Sequence, residues 1–150
     1  MARVVTLNHI SFGAVLALVA LGCQSPFESE VVRTLKPATI EFYGDSTEAL
    51  APAAVFAGEP FEVTVQSFGD GCVSFGETRV TMSRLRADIR PYDFEVTHAP
   101  RNYACPDILT KLSHTVTLTF AERGRVLLWI HGRRRPDGSA VSVVRAVDVR

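Results

Sequence analysis

The chain has 150 residues with Lys+Arg 16 against Asp+Glu 16, so it has neither the basic excess of a free nucleic-acid binder nor the acidity of a disordered tail. Hydrophobic residues at 47% and charged residues at 21% make it too apolar for disorder. The length suits one ordinary domain, and three cysteines leave one thiol over after any single pair.

The first nine residues carry Arg3 and the terminal amine as positive charges and no acid, and Ile10 to Gly22 is an uncharged apolar run. About 13 residues of helix rise roughly 20 Å, short of the roughly 30 Å hydrocarbon core, so the segment predicts a signal helix over 1–22 and not a span. The run ends in Ala20-Leu21-Gly22-Cys23, which resembles the lipobox of bacterial lipoproteins. That resemblance implies a diacylglyceryl group on the Cys23 sulfur, cleavage on its amino side and, in many bacteria, a third acyl chain on the new amino terminus. It places the protein in the bacterial cell envelope with the membrane as its first partner. Several acyl chains at about 0.8 kcal/mol per buried CH₂ hold far longer than one. Gln24 stands where the enterobacterial sorting rule reads Asp as retention at the inner membrane, and both the periplasmic and the outer-membrane face stay open. Residues 23–36 are polar at their start and interrupted by Pro26, which reads as a lipid-anchored tether.

Cleavage before Cys23 leaves 128 residues, and 37–150 is expected to be the folded domain. Its dominant pattern is period two. Phe61, Val63 and Val65 alternate with Glu62, Thr64 and Gln66; Tyr92, Phe94 and Val96 with Asp93, Glu95 and Thr97; Val116, Leu118 and Phe120 with Thr115, Thr117 and Thr119. Strands are predicted near 38–43, 52–57, 60–67, 72–75, 78–90, 92–97, 114–121, 125–133 and 140–149, the last three as a meander through Glu122-Arg123-Gly124 and Pro136-Asp137-Gly138. Within 78–90, Val80/Met82 and Leu85/Ala87/Ile89 fit two registers broken by a bulge, and Met82, Leu85 and Ile89 also fit helical spacing. Pro106 to Leu112 is read as room for one helical turn.

Some 7–9 short strands and no strong amphipathic helix predict an all-β fold, an antiparallel β-sandwich of two sheets. The stretch from Ala51 to Val65 and the later Gly124-Arg-Val-Leu-Leu-Trp-Ile-His-Gly132 are similar to strand patterns of bacterial immunoglobulin-like domains. The immunoglobulin order of cysteine and tryptophan is absent, because Trp129 follows both Cys72 and Cys105. In an envelope compartment those two cysteines are expected to pair, at the start of one strand and in the irregular 102–107 segment. A metal site or a reactive thiol is the alternative, but no C-x-x-C pair or close histidine supports zinc, so neither metal nor cofactor is expected.

Ile40-Glu-Phe-Tyr-Gly-Asp-Ser46 resembles the first block of GDS-type esterases, in which the serine is the nucleophile. The Gly-x-Asn-Asp and Asp-x-x-His segments of that family do not occur, which leaves an Asp-containing turn as the better reading. Of His98, His114 and His131, the last two fall in neighbouring predicted strands and are the one hint of an acid–base or metal site; solvent-facing strand positions explain them more simply. No H-E-x-x-H, G-x-S-x-G, Walker or dinucleotide motif is present, and enzyme activity is not expected.

Charge placement is more informative than net charge. Residues 23–78 hold two bases against nine acids, a net −7, and residues 79–150 hold 13 bases against seven acids, a net +6. Arg84, Arg86 and Arg90 share one face if that segment is extended, and Arg133, Arg134 and Arg135 precede a turn. These six form a candidate binding surface for an anionic glycan or an acidic envelope protein, since guanidinium forks suit carboxylates and phosphates. Edge solubility is the simpler explanation of them, and secretion argues against nucleic acid. The expected function is a non-catalytic binding or assembly module, with a small hydrolase using Ser46 or the histidines, or an inhibitor- or chaperone-like module that adds a strand to a partner, as alternatives.

Overall fold

A computed structural model describes residues 30–44 and 47–150. The signal segment, Cys23, most of the tether and Ser46 lie outside the described residues. The described chain is all-β, with ten strands in two mostly antiparallel sheets: β1 (Val32–Pro37), β2 (Thr39–Phe42), β3 (Ala49–Leu50), β4 (Ala54–Val55), β5 (Pro60–Gly69), β6 (Ser74–Ser83), β7 (Arg86–His98), β8 (Thr110–Thr119), β9 (Gly124–Arg135) and β10 (Ala140–Val149).

The larger sheet runs β1-β7-β9-β10-β4, with β6 paired to β7 and β2 paired to β9; the smaller runs β3-β5-β8. One apolar cluster draws on both. Phe61, Val63 and Val65 of β5 and Leu118 of β8 meet Ala87 and Ile89 of β7, Val126, Leu128 and Ile130 of β9, Val147 and Val149 of β10 and Ile40 of β2. Alternation explains the set, since each strand turns every second side chain inward and the polar residues between them face water.

The segment β1–β2 has a special position. β7 and β9 pair in parallel only over Arg86–Ile89 and Leu127–Ile130, after which the strands part. Ala38 fills the gap, its N–H donating to Pro91 O of β7 at 2.9 Å and its carbonyl accepting from Arg133 N of β9 at 2.9 Å. The approach is so close that a Cβ on Gly132 would stand 2.7 Å from Ala38 O and 2.8 Å from Ile40 Cγ1. Pro37 ends β1 at this crossing, where its missing N–H costs the ladder nothing further.

Several expectations change. Residues 32–36 do not belong to the tether: Val32-Arg-Thr-Leu-Lys-Pro37 is half-exposed on both faces but pairs with β7 from His98 to Tyr92. The segment 78–90 is neither one bulged strand nor a helix. Arg84 and Leu85 form a turn between β6 and β7, which pair from Ser83↔Arg86 outward. No helix occurs among the described residues, and 106–112 is irregular chain running into β8. The meander is also replaced: β8 pairs with β5 in the smaller sheet and β9 with β10 in the larger, so Glu122-Arg123-Gly124 carries the chain across between sheets. The Pro136-Asp137-Gly138 turn does close the β9–β10 hairpin. Gly138 takes φ +70°, open to glycine without strain, and the Asp137 carboxylate accepts from Ser139 N at 3.0 Å and Ser139 Oγ at 2.9 Å, which holds it below the usual carboxylate range.

The inward face of residues 92–97 is the reverse of the one expected. β7 is continuous from Arg86, so the phase of Ala87, Ile89 and Pro91 carries on to Asp93, which is 1% exposed, while Phe94 is 39% exposed. A carboxylate has been placed where an aromatic ring was expected.

Candidate functional site

Asp93 is buried because it has partners on the facing sheet. Ser67 Oγ of β5 donates to its Oδ2 at 2.7 Å, and His114 Nε2 of β8 lies 3.1 Å from its Oδ1 and 3.2 Å from Ser67 Oγ. The other ring nitrogen, Nδ1, is 2.9 Å from Thr78 Oγ1 of β6, and the Phe75 ring lies 4.9 Å from the imidazole, centroid to centroid. Ser67 and His114 are fully buried. A serine, a histidine and an aspartate are thus in contact, but not as a nucleophile–base–carboxylate relay, which needs serine and carboxylate on opposite edges of the ring. Here both share Nε2, and no substrate reaches them. The group is a polar clamp joining β5 and β8 to β6 and β7, with each buried polar atom satisfied.

His131 lies elsewhere. It projects from the outer face of the larger sheet, so the expected approach of His114 and His131 does not occur; each has its own aspartate on β7, Asp93 inward and Asp88 outward. His131 Nε2, facing a carboxylate, carries the hydrogen and donates to Asp88 Oδ1 at 2.8 Å. Its Nδ1 then accepts from the Ser142 hydroxyl of β10 at 2.7 Å. The strand registers make this line: Asp88 is opposite Trp129, two residues before His131, and His131 is opposite Ser142.

Arg86 completes the outer cluster. Its Nε and terminal nitrogen donate to Asp88 Oδ2 and Oδ1 at 2.7 and 2.8 Å, and its guanidinium lies 4.7 Å from the Trp129 ring centroid. The Arg86 fork, followed by the His131 hydrogen bond, holds the Asp88 carboxyl well below the usual carboxylate range. The His131 ring runs nearly parallel to Trp129, 16° between planes. Arg90 NH2 stands 3.9 Å from Asp88 Oδ1, and Arg79 is 4.5 Å over the Tyr92 ring while paired to Glu77. His98 is exposed at the end of β7 and joins neither cluster.

The six arginines do not form one surface. Arg84 sits in the β6–β7 turn against Glu122, and Arg86 and Arg90 flank Asp88 on the outer face. Arg133, Arg134 and Arg135 lie at the far end of β9, beside a cleft of about 230 Å³ that also includes Asp70, Glu95 and the disulfide. There Arg133 binds Glu95, Arg134 Nε lies 2.6 Å from Glu41, and Arg135 is 4.0 Å from Asp70. Together with Lys111–Glu48, the last two pairs join the acidic early half to the basic late half, so the fold mixes charges that the sequence separates.

Cys72 and Cys105 form the expected disulfide, Cα atoms 5.2 Å apart, tying the turn before β6 to the irregular segment before β8. Asp70 lies close to both sulfurs, but two sulfurs bonded to each other offer no thiolate to a metal. Against family models, curated proteins and solved structures, the chain matches none.

The sequence carried a signal for the buried clamp. Ser67 is in phase with Phe61, Val63 and Val65, His114 with Val116 and Leu118, and Asp93 with Ala87 and Ile89; a polar residue in an apolar phase is inward-facing and needs a partner. Ser142 carried no such signal, because its neighbour is set by register across a turn.

Proposed function

We propose that the protein is an envelope lipoprotein held to the membrane through Cys23, and that its domain is an immunoglobulin-like β-sandwich serving as a non-catalytic binding or assembly module. Two sheets around one core favour the architecture, and the lipobox-like Ala20-Leu21-Gly22-Cys23 favours the anchor. The observation that carries the binding role is the outer cluster of Arg86, Asp88, Trp129 and His131. Its side chains are fixed by mutual hydrogen bonds and stacking on two adjacent strands, β7 and β9, the rigid mounting that recognition requires. A tethered domain presenting such a face is suited to engaging a glycan or an acidic protein of the same compartment.

Crosslinking in cells from the outer face of the larger sheet tests this reading. Tagged full-length protein should give adducts that diminish in an Arg86→Glu, Arg90→Glu variant and change in identity or amount when Cys23→Ser removes the anchor. Adducts indifferent to all three substitutions would contradict it.

A second reading rests on the line Ser142–His131–Asp88, whose order matches an activated serine. Ser142 is exposed on an open sheet face, where water competes for any charge that develops on a substrate, and this disfavours hydrolysis. Ester turnover that is lost in Ser142→Ala would restore it.

A further inference from the structure

The crossing of β1–β2 between β7 and β9 leaves an opening on the outer face of about 200 Å³, bordered by Pro37, Arg90, Tyr92, His131 and Gly132. Its origin is the parting of β7 from β9 after Ile89 and Ile130, so it is built into the ladder and does not depend on a loop.

The charge beside it is incompletely neutralised. Asp88 is the carboxylate shared by Arg86, through two hydrogen bonds, and by His131 through one. Arg90 is left 3.9 Å away, beyond hydrogen-bond length, and among the described residues its guanidinium donates no hydrogen bond. Two guanidiniums around one carboxylate leave about one positive charge, with a fork of N–H donors at the pocket wall. The remaining walls come from Pro37 and Tyr92, with Gly132 and His131, whose two ring nitrogens are held by Ser142 and Asp88, completing the border. One arginine complements a single planar anion better than a doubly charged phosphate, and ring walls suit the C–H face of a compact cyclic ligand.

We propose that this pocket is a subsite for a carboxylate-bearing sugar, its carboxylate accepting from Arg90 and its ring resting on Pro37 and Tyr92. The proposal rests on the binding-module reading and names the ligand class for the same face.

Glucuronate, glucose and inorganic phosphate, each titrated into full-length, disulfide-intact protein and followed by calorimetry, test it. Glucuronate is expected to bind saturably, at least tenfold more tightly than glucose or phosphate. Arg90→Gln should weaken it at least tenfold, while Arg84→Gln, changing a guanidinium in the β6–β7 turn, should not. No saturable glucuronate binding, equal binding of glucose, phosphate binding as tight as glucuronate, or an unchanged Arg90→Gln variant would each overturn the proposal. None of these results alters the crosslinks expected in cells, so the sugar subsite can fail while the wider binding role stands, and the reverse.

Discussion

Asp93 of β7 and His114 of β8 meet in the protein interior at 3.1 Å, one from each sheet, with almost no surface exposed on either. Taking a carboxylate and an imidazole out of water is costly, and the cost is recovered only because Ser67 and Thr78 complete the hydrogen bonds. Removing one member strands the other. His114→Leu or Asp93→Leu alone should therefore cost about 3–5 kcal/mol, a large share of the stability of such a domain. The double variant should cost clearly less than the sum of the two. Urea unfolding of the four proteins closes the cycle, and additivity would mean that the two residues do not act as a pair.

The close passage of β2 over Gly132 leads to a second expectation. A methyl group there would enter space held by Ala38 O and the Ile40 side chain, neither the free end of a flexible chain. Gly132→Ala should destabilise by about 1–3 kcal/mol through overpacking. Gly138→Ala, in open space but at positive φ, tests strain without crowding and should cost less. Comparing their denaturation midpoints checks the ranking.

The outer cluster should be visible in pH dependence. The carboxyl of Asp88 is depressed in the folded protein, so as acid is added the unfolded chain takes up this proton first. Its contribution is complete above the unfolded aspartate value, about pH 4, and drains away as pH falls toward the folded value. The stability gap between the native chain and Asp88→Asn should be widest near neutrality and shrink steadily below about pH 4. Thermal unfolding of both proteins from neutral to strongly acid pH measures it; a constant gap would show that Arg86 and His131 do not bind the carboxylate as described.

The disulfide closes a loop of sequence separation 33, for which the chain-entropy account gives about 3.5–4 kcal/mol. Cys72→Ser with Cys105→Ser should lower stability by about that amount and leave the strand content unchanged at low temperature. Alkylation without and with prior reduction should differ by two labels among these cysteines.

Much of this fold was legible in its alternation. Strands β5, β9 and β10 follow from runs such as Phe61/Val63/Val65, and the Cys72–Cys105 bond agrees with the pairing expected once Cys23 is set aside as the lipid-bearing residue. What the pattern could not convey was pairing. Glu122-Arg123-Gly124 reads the same whether the next strand folds back or crosses to another sheet, and Leu85 is apolar although it lies in a turn. β1 was missed because its side chains are half-exposed on both faces, its place being fixed by backbone bonds to β7. At Asp93 the inward phase of Ala87 and Ile89 prevails over the competing phase of Tyr92, Phe94 and Val96, and two distant partners, Ser67 and His114, satisfy the buried carboxylate. The outer cluster was legible only in part: Arg86, Arg90 and His131 stood out by type, while Asp88, Trp129 and Ser142 gained meaning from strand register alone.

The most direct test of a tethered binding module is the intact mass of the protein extracted from cell membranes. The expected species begins at Cys23 and carries a diacylglyceryl group on its sulfur, with or without a third acyl chain, and it disappears from the membrane fraction in Cys23→Ser. A mature chain beginning at another residue, or an unmodified Cys23 on membrane-free protein, would contradict it.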